Sequence, residues 1–362
     1  MTVPHGQKIR VSADLLKKAV EFFDRLTGTL EPLHREVTLY SPRTLAMRAS
    51  DGCLVAELAL PWMKVDLGKR VLTVSLDPLK AFLKQAEGEV ELLIGRDLRL
   101  THGKDVLTLE TRRRGYLPEW PRAEEVAQVP CQRLRSVLDF ASVHLTDADS
   151  VELGTWQGKL YAAGFTDGHL AAALTPLEAK RGFSVLLPYA SARHLVKCLE
   201  LLRRETLTLE LPDGAPVLRG GPLRIALLGR AGARDLQGAL GFLFGEHGPP
   251  LWVIRAPELR KLASRAARMQ RNGASVGSLR LYPNRVEAVV ESEHGTYRSF
   301  EEVLMTRNPA RCDVRVRMER LNSLLARFGQ GRVLLHWTHR GLLLTDSRTR
   351  AILLSERGQP RF

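Results

Sequence analysis

The chain has 362 residues, of which 44% are hydrophobic, and a formal charge of +14. That length suits two or three domains, and that apolar content excludes a globally disordered protein. No apolar run reaches the roughly 18 residues of a membrane helix, and the opening MTVPHGQKIRVSADLLKK has no apolar secretory core, so a cytoplasmic protein is expected.

In chain order, SADLLKKAVEFFDRL (12–26) is the first segment to place apolar residues at i, i+3, i+4 and i+7. It predicts a helix with Ser12 and Asp14 as caps. LDPLKAFLKQA (76–86) predicts a second helix, with VLTVSL before it and EVELLIG, LRLTHG and DVLTLET after it as strands. Pro, Gly and charge then cluster in PEWPRAEEVAQ (118–128), which reads as a linker. PCQRLRSVLDFASVHL (130–145) and YASARHLVKCLELLRR (189–204) predict helices, separated and followed by the strand-like LYAAGF, SVLLP, LTLEL and LRIALLG. A second linker falls at LFGEHGPP (243–250). The last third repeats the plan with helices at APELRKLASRAARMQ (256–270), whose Pro257 suits a first turn, and RMERLNSLLARFG (317–329). Its strands are LRLYP, VEAVVES, RVLLHW and GLLLTD.

Each third thus reads as helix, strands, helix, strands, an internal repeat in an α+β chain with six helices. The expected domains are 1–122, 129–243 and 251–362. The four cysteines, Cys53, Cys131, Cys198 and Cys312, show no metal-knuckle or disulfide spacing and read as reduced thiols.

The polar faces of the six helices are basic. They offer Lys17, Lys18 and Arg25, then Lys80 and Lys84, then Arg133 and Arg135. Arg193, Lys197, Arg203 and Arg204 come next, then Arg260, Lys261, Arg265 and Arg268, and finally Arg320 and Arg327. Residues 251–362 alone hold 21 Lys and Arg against 10 Asp and Glu, and 20 of those cations are Arg. A face repeated six times suggests one electropositive surface that meets phosphates without reading bases. Aromatics are 6% and do not alternate with these cations, which favours duplex over stacked single strands. A solvated basic surface in an Arg-biased protein remains the alternative.

Phosphate-binding loops, nucleophile elbows, zinc-protease helices and calcium loops are not found, so no catalytic residue, metal or cofactor is expected. The acidic TDADS (146–150) reads as a loop after a helix. Asp167 and His169 in GFTDGHLAAA could be taken for a catalytic pair, but Asp167-Gly168 between two apolar runs is a hairpin-turn signal.

Several of these segments resemble the bacterial DNA polymerase III β sliding clamp family. FTDGHLAA (165–172) is similar to that family's second-domain Thr-Asp-Gly-His-Arg-Leu-Ala signature, and SVLLPYASARHLVKCL (184–199) resembles the family's stretch just C-terminal to that signature. GYLPEWP (115–121), SLRLYPNRVEAVVES (278–292) and DVRVRMERLNSLL (313–325) extend the likeness over nearly the whole chain. The resemblance implies three similar domains, each with two helices on antiparallel sheets. It further implies half of a head-to-tail homodimeric ring whose helices face duplex DNA. It implies a partner pocket at Thr166, Gly168, His169 and Leu170 for DNA polymerase, clamp loader or other clamp-binding proteins, Leu170 standing where the family has Arg. It places a subunit contact at Leu107 and Leu109 on one side, facing Arg268 and Met269 on the other. The expected function is a sliding clamp, a processivity factor in DNA replication; a clamp-fold DNA-binding protein that leaves the ring open is the alternative.

Overall fold

A computed structural model describes residues 7–28, 35–41, 44–63, 65–68, 70–113, 120, 123–166, 168–202, 205–212, 215–231, 236–270, 276–307, 311–346 and 349–354. Seven helices occur among them. These are α1 (Ala13–Thr27), α2 (Leu76–Gln85), α3 (Cys131–Ser142), α4 (Tyr189–Leu201), α5 (Gln237–Phe244), α6 (Ala256–Gln270) and α7 (Met318–Leu325). Six match the periodic segments. The seventh, α5, was not expected: QGALGFLF is apolar on every side and shows no helical period.

Helix burial follows the sequence period. In α1 the residues Leu16, Ala19, Val20, Phe23 and Leu26 are buried, and in α6 Leu259, Leu262, Ala263 and Ala266 are. Ser12 occupies the N-cap of α1 but its side chain makes no capping bond, contrary to expectation. Asp14 lies in the first turn, where a carboxylate meets the positive end of the helix dipole.

The chain forms two compact units, Met1–Gln132 with His194–Gly229, and Arg133–Arg193 with Arg230–Phe362. Unit 1 contains α1 and α2, a four-stranded sheet and a nine-stranded sheet. The small sheet runs Gln7–Ser12, Glu89–Ile94, Leu98–His102, Asp105–Leu109, so the last of these is an edge strand. In the large sheet Leu223–Leu227 pairs antiparallel with Leu54–Leu58, which joins the middle third of the chain to the first. Unit 2 contains α5, α6 and α7, a ten-stranded sheet and a four-stranded sheet that ends in Gly295–Glu302. Its large sheet pairs His169–Ala173 with Arg350–Leu354, joining the middle third to the last.

The stretch read as a first linker runs into a strand. Glu125–Pro130 pairs with Thr206–Glu210 through a bulge between Glu125 and Ala127. Its alternation of buried Val126 and Val129 with exposed Glu125 and Gln128 was masked by neighbouring charge. In unit 1, Trp120 donates its indole N–H to Glu57, and the Arg48 guanidinium lies over both the Trp120 and Tyr40 rings at 5.0 and 5.6 Å. All four cysteines are free thiols, Cys131 and Cys198 buried.

Candidate nucleic-acid interface and partner site

The basic helix residues divide into two classes. Lys18, Lys84, Arg133, Lys197, Arg260, Lys261 and Arg268 are exposed and make no ion pair among the described residues. The others are committed. Arg25 pairs with Glu21 at 2.7 Å and with Glu200 at 3.7 Å. Lys80 donates to Asp24 at 2.6 Å, and Arg265 to Glu301 at 2.7 Å. Lys17 stands 3.9 Å from Asp14, and Arg135 is half-buried.

Arg193 and Arg327 converge on Asp139, at 2.7 and 3.0 Å. Burial alone would raise that carboxyl, but the two guanidinium bonds outweigh it and hold Asp139 below the usual carboxylate range. Asp24 is held low by the same balance, with burial opposed by Lys80 and Arg35. These arrangements neutralise cations that sequence alone offered to phosphate. Arg203 and Arg204 lie outside the described residues.

At the hairpin, Lys159–Thr166 pairs with His169–Pro176, and Thr166 stands opposite His169, leaving a two-residue connection. Gly168 has φ +73°, the left-handed conformation such a turn asks of glycine. Asp167 lies outside the described residues. The flanking side chains point inward: Thr166 is 5% exposed, His169 3% and Leu170 1%.

Arg320, at the start of α7, donates from Nη1 to Thr166 Oγ1 at 3.0 Å, so one expected DNA contact meets one expected pocket residue. His144 is buried beside them. Its imidazole is pushed down to about 3, first by burial and then by the charges of His169 and Arg320. A ring neutral over the whole physiological range is no general acid. Among the described residues no cluster of three or more His, Cys, Asp or Glu could hold a metal. In TDADS, Asp149 accepts from the Thr146 backbone and hydroxyl, as a loop after α3 would require.

Around Leu170 the sheet carries an apolar patch. Ala163, Ala172 and Ala351 stand in register across three strands. The neighbouring rows carry Phe165, Leu170 and Leu353 on one side, Tyr161 and Leu174 on the other. Three alanines between rows of larger side chains make a shallow trough, and Leu236, Ala239, Leu240 and Leu243 from α5 and its N-cap pack into this cluster.

The expected subunit-contact residues lie on an edge strand of unit 1 and at a helix end of unit 2. Leu107 is half-buried and Leu109 buried on the edge strand Asp105–Leu109 of unit 1, while their neighbour Val106 is exposed. Arg268 and Met269 are exposed at the end of α6, Met269 by 52%. On the edge strand of unit 2, Phe300 is 57% exposed, with Arg265 of α6 pairing its neighbour Glu301. Sequence reading missed Phe300 because it occupies the polar phase of an alternating strand, where only structure shows it uncovered.

Solved structures carry the same architecture end to end. A putative DNA polymerase III β subunit from Eubacterium rectale superposes with a TM-score of 0.81, covering 97% of this chain and 99% of that one, at 11% identity. The fold is that of a bacterial sliding clamp. The DNA polymerase sliding clamp of Bacillus subtilis gives a TM-score of 0.80 at 16% identity, covering 98% of this chain and all of that one. The DNA polymerase III β subunit of Thermotoga maritima gives 0.79 at 16%, covering 97% and 100%. No family model matches the chain, and no curated protein sequence does. A clamp fold kept at such identity fits a chain that preserves its helix and strand periods while changing the side chains around them. No described helix is long and apolar enough to cross a membrane.

Proposed function

We propose that this protein is a sliding clamp: two copies close head to tail around duplex DNA and tether a DNA polymerase or another DNA enzyme to it. The observation that carries the reading is coverage: the clamp fold spans 97–98% of this chain and essentially the whole of each solved clamp. In this reading the role is non-catalytic: the protein holds an enzyme on DNA and performs no reaction itself.

The repeat divides as 1–122, 129–243 and 251–362, and the sheet pairings of Leu223–Leu227 and Arg350–Leu354 bridge successive repeats. The exposed cations Lys18, Lys84, Arg133, Lys197, Arg260 and Lys261 meet phosphates by counterion release, which permits sliding. Ring closure brings the strand Asp105–Leu109 of one copy beside Gly295–Glu302 of the other, with Val106, Met269 and Phe300 supplying apolar contact. Edge strands left open on both units are what such pairing uses.

The test is retention on DNA of different topology. At moderate salt the protein, loaded on nicked circular DNA, stays bound, and linearising the circle releases it. Equal loss from both forms as salt rises would instead identify an open, basic DNA-binding protein. Sedimentation gives the supporting measurement, since a closed ring needs twice the 40.5 kDa chain mass.

A further inference from the structure

Residues 251–362 hold 20 arginines, and the clamp reading puts only Arg260 of them on DNA. Several of the others meet on the small sheet of unit 2, whose strands run Gly295–Glu302, Arg285–Ser292, Val276–Leu281, Cys312–Arg315. Helix α6 packs on one face of that sheet. There Arg265 reaches Glu301, and Leu279, Leu281, Val286 and Ala288 are buried. Side chains alternate along a strand, so Arg280, Arg285, Arg298, Phe300 and Arg315 stand on the opposite face.

Register arranges that face. Arg298 lies opposite Val289, Val289 opposite Ser278, and Ser278 opposite Arg315. Two exposed arginines therefore end one row, about 14 Å apart at the usual strand spacing. Nearer the hairpin, the Arg285 guanidinium lies 4.6 Å from the centre of the Tyr282 ring and 5.7 Å from that of Phe300. Arg311 lies 5.5 Å from the same Tyr282 ring. Of the acids on this face, Asp313 and Glu291 each bind Arg280 at 3.0 Å, and Arg311 shares Asp313 at 3.6 Å. Glu287 is buried and Glu302 exposed. Arg285, Arg298 and Arg315 make no ion pair among the described residues. Arginine forks of this kind suit phosphate oxygens, and guanidinium planes also stack on bases.

The helix cations have no aromatic residue interleaved with them, whereas these arginines do. A duplex keeps its base faces stacked on one another and can use only the charges here. A single strand can use both the charges and the rings.

We propose that this outward face binds single-stranded nucleic acid, on the far side of the sheet from α6. Arg298 and Arg315 hold phosphates, and bases extend the stack of Tyr282, Arg285 and Phe300. Phe300 borders the edge used in ring closure, so Tyr282 and Arg285 carry the stacking wherever that contact forms. The site goes beyond the clamp reading and needs no closed ring.

The probe is a fluorescein-labelled oligothymidylate of about 20 nucleotides, titrated into the full chain by anisotropy over a range of salt. Arg298→Ala/Arg315→Ala should weaken binding about tenfold and lower the salt slope by about 1.4, at about 0.7 per phosphate. Both side chains are exposed, so the melting temperature should stay that of the wild type. Arg285→Lys keeps the charge and loses the planar group; it should weaken binding several-fold at an unchanged salt slope. Lys18→Ala/Lys84→Ala, on the helices of unit 1, should leave single-strand affinity within about twofold. Wild-type affinity in Arg298→Ala/Arg315→Ala overturns the proposal, and so does an equal loss in the helix variant, which would put the strand on the helix cations. Displacement of the oligonucleotide by polyglutamate at equal charge concentration would mark a site for acidic protein and overturn it as well. Retention on nicked circles needs neither Arg298 nor Arg315. Its loss with single-strand binding intact breaks the clamp reading alone, and the reverse breaks this proposal alone.

Discussion

The hairpin at Thr166–Leu170 was assigned to binding by resemblance and the polar faces of the helices by their repeated positive charge, and the structure treats them in opposite ways. The hairpin side chains turn inward, where Thr166 meets Arg320 and Leu170 meets α5. The helix faces turn outward, and among their described cations Lys17, Arg25, Lys80, Arg193, Arg265 and Arg327 stand against acids while seven others are exposed with no ion pair. A binding pattern in sequence therefore locates a place in the fold; burial and pairing decide what that place can touch.

The contrast can be broken first on its buried side. A Cβ at Gly164 would lie 1.9 Å from the Ala141 carbonyl oxygen, where α3 crosses the strand Lys159–Thr166. Gly164→Ala should cost about 3 kcal/mol and lower the melting temperature by several degrees, because backbone cannot move aside as a side-chain tip can. A variant as stable as wild type would mean that α3 rides more loosely on the sheet.

Acid should act on the same region. With the His144 ring at about 3 when folded and an ordinary 6.5 when unfolded, the unfolded chain binds the extra proton between those values. Stability is therefore complete above pH 6.5, falls as pH drops towards 3, and is flat in this contribution below that. His336, lowered by burial and by His247, acts with the same sign. Denaturant unfolding at pH 7 and pH 4.5 should show a loss of about 2 kcal/mol that His144→Phe reduces.

On the outward side, Asp139→Asn should release Arg193 and Arg327 from their shared acid. Stability should drop by about 1 kcal/mol, while duplex affinity rises and its dependence on salt steepens. Unchanged salt dependence would show that these two arginines do not reach DNA even when free. The smallest effect belongs to Lys18→Ala and Lys84→Ala. Each should leave the melting temperature within the few tenths of a kcal/mol usual for surface changes and reduce the salt slope by about 1.

The fold was legible where period and burial agree. The buried Leu259, Leu262, Ala263 and Ala266 of α6 announce a helix before any coordinates, and Asp167-Gly168 announces its hairpin. Two kinds of information were not legible. One is α5, whose residues all look alike to a periodicity test because both faces are apolar or glycine. The other is charge pairing: Asp139 meets Arg193 across 54 residues and Arg327 across 188. No local pattern announces partners that distant, so cations read as available were already engaged. The edge residues Val106 and Phe300 were missed for a related reason, since exposure of an apolar side chain is decided by which strands have neighbours.

The strand pairings also set an order of assembly. The large sheet of unit 1 needs Leu223–Leu227 beside Leu54–Leu58, so a growing chain cannot finish it until some 170 further residues have been made. The sheet of unit 2 waits longer, since His169–Ala173 has no final neighbour until Arg350–Leu354 is made. During synthesis the strand His169–Pro176 therefore passes a long interval as an open edge, a template for mispairing with other nascent chains. The step that protects this protein from aggregation is then a late one, and it coincides with the closing of the alanine-floored trough.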